Sequence, residues 1–192
     1  RSEYAHAVIK KIDTSKAEQL EGVYAVVTGK DFPFRFGLYL KDNSVFPLDR
    51  VRYVGQHVAA VIALTQEIAD EAVKLIEVEY EPLPVVQDPI EAIKEDAPLI
   101  HPDLDKYEVV PWIYPQPKTN IAHVRKIRKG DVEEAFKEAD LVMEDWYVVP
   151  HVVHAPIETH VAAALYTPDG RLTMWNSSQS PHTQRNIIAN CF

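Results

Sequence analysis

The clearest pattern in the chain is a long apolar run followed by an amphipathic one. Residues 56–64 (QHVAAVIAL) are almost continuously apolar, which is typical of a buried strand. After Thr65, a predicted N-cap, the spacing predicts a helix to about Lys74 whose apolar face comprises Ile68, Ala69, Ala72, Val73 and Ile76. Residues 76–80 (IEVEY) then alternate and predict a half-buried strand. This part of the chain therefore predicts a strand–helix–strand unit.

The pattern before and after this unit adds short elements of both kinds. Residues 4–12 and 23–27 predict strands, and between them Ser15 and Glu18 predict a short helix with a capping box. Residues 30–50 contain prolines, glycine and asparagine and predict a loop. A further helix is predicted to begin at Asp88-Pro89, since aspartate is a good cap and proline fits the first helical position. Residues 1–97 therefore predict one compact α+β domain.

The rest of the chain begins with a proline-rich stretch and then alternates strands and helices. A stiff, extended linker is predicted over residues 98–120, which contain Pro98, Pro102, Pro111, Pro115 and Pro117. Strands are predicted over 121–127, 141–149, 161–166 and 172–175, the last two joined by a turn at 167–170. Helices are predicted after Asp131 and after Ser180, the second reaching the last residue, Phe192. These elements predict a second domain over residues 121–192.

Charge and composition narrow the class of protein. The net charge is −9, from 29 acidic and 20 basic residues, which argues against nucleic acid as the main partner. Cys191 is the one cysteine and has no internal disulfide partner, which favours a reducing compartment such as the cytoplasm. The longest strictly apolar run, residues 58–64, is too short to span a membrane. We therefore expect a cytoplasmic protein without a membrane span.

Gln179 is the first candidate for a functional side chain. Its amide stands directly before Ser180, the predicted helix cap, where free backbone N–H groups and the positive end of the helix dipole meet. A carboxamide offers two donors and one acceptor and never ionises. Such a position suits an anion or a metal-bound oxo group, although satisfying a neighbouring carbonyl would be a simpler role.

Glu158 and three nearby histidines are the second candidate. Glu158 lies among apolar residues at 155–157 and 161–164, which predicts a carboxylate that is paired or protonated, or one that braces a turn. His151, His154 and His160 invite a zinc hypothesis, but their spacing is poor for it and favours ordinary hydrogen-bonded histidines. Glycine-rich nucleotide loops, CxxC pairs and GxSxG elbows are absent from the sequence.

Two segments together resemble one family. Residues 50–93, which include the string VEYEPLPVVQDP, resemble the a/b-hammerhead domain of the molybdenum hydroxylases, as do residues 1–33. This family comprises xanthine dehydrogenase, aldehyde oxidase and aerobic carbon monoxide dehydrogenase. The strings GDVEEAFKEADLVMEDWY, HAPIETHVAAAL and LTMWNSSQSPHTQRNIIA resemble the start of its molybdopterin-binding domain. The resemblance implies an α+β hammerhead domain (1–97), a linker (98–120) and the first part of a mixed α/β molybdopterin-binding domain (121–192).

The resemblance also implies a function. The chain would be an N-terminal fragment of a molybdenum-binding large subunit that oxidises an aldehyde, an N-heterocycle or carbon monoxide with oxygen from water. Gln179 matches the family's glutamine that hydrogen-bonds an oxo ligand of molybdenum, and Glu158 matches an acidic residue that we interpret as a structural brace, not the base. The resemblance implies an oligomeric assembly that contains molybdenum–molybdopterin, the remainder of the large subunit, and iron–sulfur and FAD subunits or domains.

Several features of the family have no counterpart in these 192 residues. The glycine-rich pterin loops and the late catalytic glutamate are missing, and Cys191 does not match the copper-ligating cysteine of the carbon monoxide enzymes. We therefore predict that this polypeptide alone carries no catalytic residue, is inactive and binds no molybdenum cofactor. The alternative is a non-catalytic interaction module that docks to an iron–sulfur or flavin partner.

Overall fold

The computed structural model describes residues Arg1–Cys191 and divides into two compact units. The first comprises Arg1–Val124 together with the chain from Asn186 onward, and the second comprises Arg125–Arg185. The strands are β1 (Ala7–Asp13), β2 (Val23–Thr28), β3 (Arg50–Val51), β4 (Ala59–Ala63), β5 (Glu77–Pro82), β6 (Ala162–Tyr166) and β7 (Leu172–Asn176). The helices are α1 (Ser15–Glu18), α2 (Gln66–Lys74), α3 (Pro89–Ala92), α4 (Val132–Glu138) and α5 (Pro181–Cys191), with a 3-10 turn at Leu104–Lys106.

Two small antiparallel sheets form the frame of the first unit. One has the order β3-β1-β5 and the other pairs β2 with β4. Ala7, Val51 and Val58 are buried at the centre of the core, and Ile9, Ile12, Val78 and Tyr80 pack against them. The predicted strand–helix–strand unit is confirmed, but its two strands belong to different sheets. The expectation that residues 56–64 form a buried strand is wrong in part, because Ile62 and Leu64 are 52% and 65% exposed. An apolar strand is buried on both faces only when a further layer covers each face.

Two of the three N-caps predicted for the helices of the first unit are present in the structure. Thr65 caps α2 as predicted, because its side chain accepts a hydrogen bond from the Ile68 N–H, and Ala72 is fully buried. Asp88 likewise caps α3. The capping box predicted at Ser15 is wrong, because Ser15 is the first helical residue of α1 and Thr14 is its N-cap. The Ser15 hydroxyl donates instead to Asp13 Oδ1 at 2.6 Å.

The proline-rich segment lies against the loop over residues 30–50. The Lys41 N–H donates to the Glu108 carbonyl and the Val110 N–H donates to the Tyr39 carbonyl, each at 2.9 Å. Leu104 is buried, and Asn120 Nδ2 donates to the carbonyls of Ala92 and Pro98. These contacts place the segment in the first unit. The domain boundaries predicted at residues 97 and 120 stay a prediction.

The second unit contains a hairpin, the helix α4 and the first turn of α5. Strands β6 and β7 pair antiparallel from Ala162↔Asn176 to Tyr166↔Leu172. The predicted turn closes them, since the Gly170 N–H donates to the Thr167 carbonyl at 2.9 Å. Asp131 caps α4 through a hydrogen bond from the Glu134 N–H, also as predicted.

Two predicted strands do not form. Residues 121–127 and 141–149 are assigned no strand, and the stretch 139–161 has no helix or strand. Trp146 and Val149 are 86% and 88% exposed there. Alternating apolar residues make a strand only when a neighbouring backbone pairs with it and a layer covers its apolar face. Within Arg1–Cys191, no backbone pairs with residues 141–149 and no layer covers their apolar side chains.

The last helix, α5, starts after Ser180 as predicted and is described to Cys191. The predicted end of this helix at Phe192 lies outside the described residues. Within the part of the chain that is described, no helix has the length and apolar character needed to cross a membrane.

Candidate functional site

The loop between β7 and α5, residues 177–180, holds Gln179 and is called the Gln179 loop. Its two ends are fixed by short-range bonds. The Ser180 N–H donates to Ser178 Oγ at 3.0 Å, and the Gln184 N–H donates to the Ser180 carbonyl at 3.1 Å. Asn176 Nδ2 donates to Gln184 Oε1, which links the end of the strand to the first turn of the helix. The sequence thus forms a strand-to-helix turn with Gln179 near its apex.

The carboxamide of Gln179 is exposed and has no hydrogen-bond partner among residues Arg1–Cys191. The simpler role, satisfying a neighbouring carbonyl, is therefore not seen in the described chain. Pro181 has no N–H, and the N–H groups of His182 and Thr183 find no acceptor within the described residues. A neutral side-chain donor and the start of an 11-residue helix thus meet in one place. This donor set fits an oxygen-bearing, anionic or metal-bound group.

Glu158 does not lie in the expected environment. Its side chain is exposed, its neighbour Ile157 is 97% exposed, and the carboxylate has no hydrogen-bond partner in the described part of the chain. The expectation of a paired or protonated carboxylate among buried neighbours is not met in the described residues. The physical reason is that apolar neighbours along an extended segment enclose a side chain only when another layer packs over them.

The three histidines near Glu158 are also exposed. His151, His154 and His160 have no hydrogen-bond partners among the described residues, so the hydrogen bonds expected for them are not present there. No group of three or more His, Cys, Asp or Glu side chains between Arg1 and Cys191 is placed to hold a metal ion. The histidines are thus not gathered with Glu158 into one site.

A cluster of charges in the first unit was missed by sequence reasoning. Three guanidinium groups, of Arg35, Arg50 and Arg52, surround the carboxylate of Asp49; this is called the arginine cluster. The string DRVR (49–52) was a partial signal, because residues 50 and 52 lie on one face of an extended chain. Arg35 comes from a loop 14 positions earlier than Asp49, and no local pattern predicts that approach.

Comparisons with known proteins agree with both parts of the chain. Residues 1–84 match the family described as aldehyde oxidase and xanthine dehydrogenase, a/b hammerhead domain. Residues 113–192 match the molybdopterin cofactor-binding domain. The Gln179 loop lies inside the second match, and the arginine cluster lies inside the first.

Two relatives and a solved structure match all or nearly all of the chain. A probable xanthine dehydrogenase subunit of Bacillus subtilis is 41% identical over 100% of this chain and 24% of its own length. The nicotinate dehydrogenase large molybdopterin subunit of Eubacterium barkeri is 36% identical over 98% of this chain and 41% of its own length. Reconstituted CO dehydrogenase from Oligotropha carboxidovorans superimposes with a TM-score of 0.78 at 34% identity, over 100% of this chain and 24% of that one.

The chain therefore spans from about a quarter to two fifths of the length of these relatives. The two family matches, in this order along one chain, confirm the α+β architecture of a hammerhead domain followed by molybdopterin-binding sequence. The chain belongs to the family of molybdenum hydroxylase large subunits, of which it carries the a/b hammerhead domain and molybdopterin cofactor-binding sequence.

Proposed function

We propose that this chain is part of the molybdenum-binding large subunit of an oxidoreductase. The enzyme would oxidise a carbon centre, in an aldehyde, an N-heterocycle or carbon monoxide, with oxygen derived from water. The observation that carries this proposal is the exposed, unpartnered carboxamide of Gln179 at the start of α5, inside the segment that matches the molybdopterin cofactor-binding domain. Nicotinate, xanthine and carbon monoxide dehydrogenases among the relatives support the same reaction class.

Gln179 acts in this proposal as a neutral hydrogen-bond donor. Molybdenum–molybdopterin, when bound, supplies the two-electron oxidation of the carbon centre. Gln179 would help to hold that group by donating a hydrogen bond from Nε2 to one of its oxygen atoms. Because the amide is uncharged, the contact leaves the charge at the metal unchanged. The N–H groups of His182 and Thr183 lie at the positive end of α5 and favour negative charge nearby.

Glu158 would act as a structural brace near the cofactor. Its exposed carboxylate is free within the described residues to accept hydrogen bonds from backbone N–H groups of further polypeptide. Burial by that polypeptide would require such partners, because an unpaired buried carboxylate is costly. In this proposal Glu158 accepts hydrogen bonds and does not act as a base.

The partners in this proposal are the remainder of the large subunit and iron–sulfur and FAD subunits or domains, within an oligomer. Relatives whose names call them a subunit or a large chain support such an assembly. The exposed apolar side chains of residues 141–161 also support contact with further polypeptide. We propose a cytoplasmic location, supported by the single, unpaired cysteine Cys191.

Metal analysis tests the cofactor. The protein that contains this sequence would be purified with the polypeptides that accompany it, and molybdenum would be measured by mass spectrometry and pterin by fluorescence after oxidation. We expect stoichiometric molybdenum in the assembly and none on the 192-residue chain alone. An assembly free of molybdenum would favour the alternative, an interaction module for an iron–sulfur or flavin partner. Stoichiometric molybdenum on the isolated chain would refute our expectation that it binds no cofactor.

Substitution of Gln179 tests the site. In the assembly, Gln179→Ala should lower kcat by about 10²-fold, the usual loss for one preorganised donor at a reacting centre, with molybdenum content unchanged. In the isolated chain the same change should leave the melting temperature unaltered, because the amide has no partner there. Gln66→Ala, at an exposed glutamine in α2, is the matched control and should change neither quantity beyond a small effect on α2. A large loss of melting temperature with Gln179→Ala would show a structural role instead.

A further inference from the structure

The arginine cluster brings more positive than negative charge into a half-buried place. The side chains of Arg35, Arg50 and Arg52 are 23%, 21% and 10% exposed. Asp49, at 42% exposure, is the one carboxylate that ion-pairs with them in the described chain. Charges withdrawn from water need a counter-charge, since their desolvation is otherwise uncompensated.

The contacts show which guanidinium groups are already occupied. Arg52 donates to Asp49 Oδ1 at 3.3 Å, to the Ile100 carbonyl at 3.0 Å and to the Arg50 carbonyl at 3.2 Å, so its role is structural. Arg50 donates from Nε to Asp49 Oδ2 at 2.8 Å, and its two terminal nitrogens have no partner within residues Arg1–Cys191. Asp49 therefore holds Arg50 in place through Nε, while Nη1 and Nη2, the fork of the guanidinium group, form no hydrogen bond within the described residues.

Arg35 approaches the same carboxylate from a loop, with long contacts only. Its Nη2 is 3.9 Å from Asp49 Oδ1, its Nη1 donates to the Asp42 carbonyl at 3.4 Å, and its guanidinium lies 4.5 Å from the centre of the Tyr107 ring. Two other carboxylates of this region form ion pairs with lysines: Asp103 with Lys106 at 2.6 Å, and Glu108 with Lys41 at 2.8 Å. The hydrogen bond from Lys106 lowers the pKa of Asp103 most, and the charge of Arg50 also lowers it, but less. Counted by ion pairs, the cluster has three guanidinium groups against one carboxylate, an excess of two positive charges.

We propose that the arginine cluster is a binding site for a doubly charged oxyanion of the phosphate class, held by the free fork of Arg50 and by Arg35. Planar guanidinium groups match the oxygens of such an anion through paired N–H···O bonds. A dianion offsets the two positive charges that Asp49 leaves unbalanced. The side chain of Asp49 is 42% exposed, so an anion can reach the arginine cluster from solvent.

The pKa of His101 is sensitive to the charges of the arginine cluster. Burial, and then the positive charges of Arg52 and Arg35, lower the pKa of His101 from 6.5 to about 4. Asp49 raises this pKa and Arg50 lowers it further, and the Tyr107 hydroxyl lies 3.1 Å from His101 Nδ1. A bound dianion would offset the arginine charges but not the burial. It should therefore raise the pKa of His101 without restoring the ordinary value.

Calorimetric titration of the 192-residue chain with inorganic phosphate, at constant ionic strength and neutral pH, tests the proposal. We expect saturable binding that Arg50→Gln weakens by about tenfold or more, a loss of about 1.4 kcal/mol. Arg50→Lys, which keeps the charge but loses the fork, should lie between the two. Lys41→Gln removes one positive charge from a lysine that pairs with Glu108 and has no ion pair with Asp49, and this variant should bind phosphate as the unaltered chain does. Equal weakening by Lys41→Gln and Arg50→Gln would overturn the proposal, as would unsaturable binding.

A second measurement does not depend on the variants folding. The pKa of His101 would be followed by NMR of the unaltered chain with sulfate and with nitrate at equal ionic strength, because sulfate stays a tetrahedral dianion and nitrate a monoanion in the pH range where His101 titrates. We expect sulfate to raise this pKa and nitrate to leave it nearly unchanged. No change with sulfate would exclude a dianion beside Arg50 and Arg35. An equal change with nitrate would remove the selectivity for two charges.

Discussion

Among single residues, Gly55 is needed for its backbone conformation, although no neighbouring atom would clash with a side chain there. Its φ is +84°, and an added Cβ would have no atom within 4 Å. The Gly55 N–H donates to the Ser2 carbonyl at 2.8 Å, and the Ser2 N–H donates to the Gln56 carbonyl at 2.8 Å. These two hydrogen bonds hold the turn just before the apolar run that contains β4. Glycine is needed there for its conformation and not for space.

Gly55→Val should therefore destabilise the first unit by about 1–2 kcal/mol, the usual cost of a left-handed conformation for a residue with a Cβ, and more because valine is branched. Urea unfolding followed by circular dichroism measures this change. Gly55→Asn is the control and should lose less, since asparagine tolerates positive φ. Equal stability of the valine variant and the unaltered chain would show that the turn can adopt another conformation.

At the scale of elements, α2 illustrates local signals that survive folding. Its cap and its end agree with prediction, and Ala72 is buried in the core as expected. Val73, predicted on the same apolar face, is 51% exposed. Helices can be predicted in this way because their hydrogen bonds join residues four positions apart. The strands predicted over 121–127 and 141–149 failed for the opposite reason, since a strand's bonds depend on a partner remote in sequence.

Thr65→Ala should cost about 1 kcal/mol of unfolding free energy, because the Ile68 N–H would lose its side-chain acceptor. Thr65→Ser keeps the hydroxyl and should lose only a small part of that amount. Both values come from urea unfolding monitored at the helix signal. A serine variant as unstable as the alanine variant would show that the threonine methyl group, not the cap bond, stabilises α2.

At the scale of the whole molecule, exposed apolar surface is concentrated in the second unit. Along residues 139–161, side chains that are more than two thirds exposed include Leu141, Met143, Trp146, Tyr147, Val148, Val149, Val152, Val153 and Ile157. Monomeric soluble proteins rarely expose continuous apolar surface of this extent. The chain as described therefore presents a surface suited to contact with other polypeptide.

We expect the isolated 192-residue chain to self-associate in a concentration-dependent way, measured by sedimentation velocity. The double change Val148→Glu and Val149→Glu should weaken association, because it places charge on the exposed apolar stretch. Tyr24→Glu, at a side chain 69% exposed in the first unit, is the matched control and should not. A strictly monomeric chain over the full concentration range would contradict the expectation.

The candidate site was predictable only in part. Gln179 was found from its place before a helix cap and from family resemblance, and the structure gives it the free amide that the proposed role requires. That role stays a proposal. Glu158 was predicted to be paired or protonated because its sequence neighbours are apolar, but burial of those neighbours depends on packing layers that come from residues remote in sequence. The arginine cluster was missed because Arg35 reaches Asp49 only through the path of a loop.

The caps of α2, α3 and α4, the hairpin turn and the order of the two matched domains can be read from the amino-acid sequence, because they depend on neighbours within a few positions or on the identity of whole segments. The pairing of the strands, the path of the proline-rich segment and the charges that meet around Asp49 are visible only in the folded chain. Strand ladders and ion pairs join residues far apart in the chain. Their formation depends on chain path and burial, which hydrophobic patterning specifies only in outline.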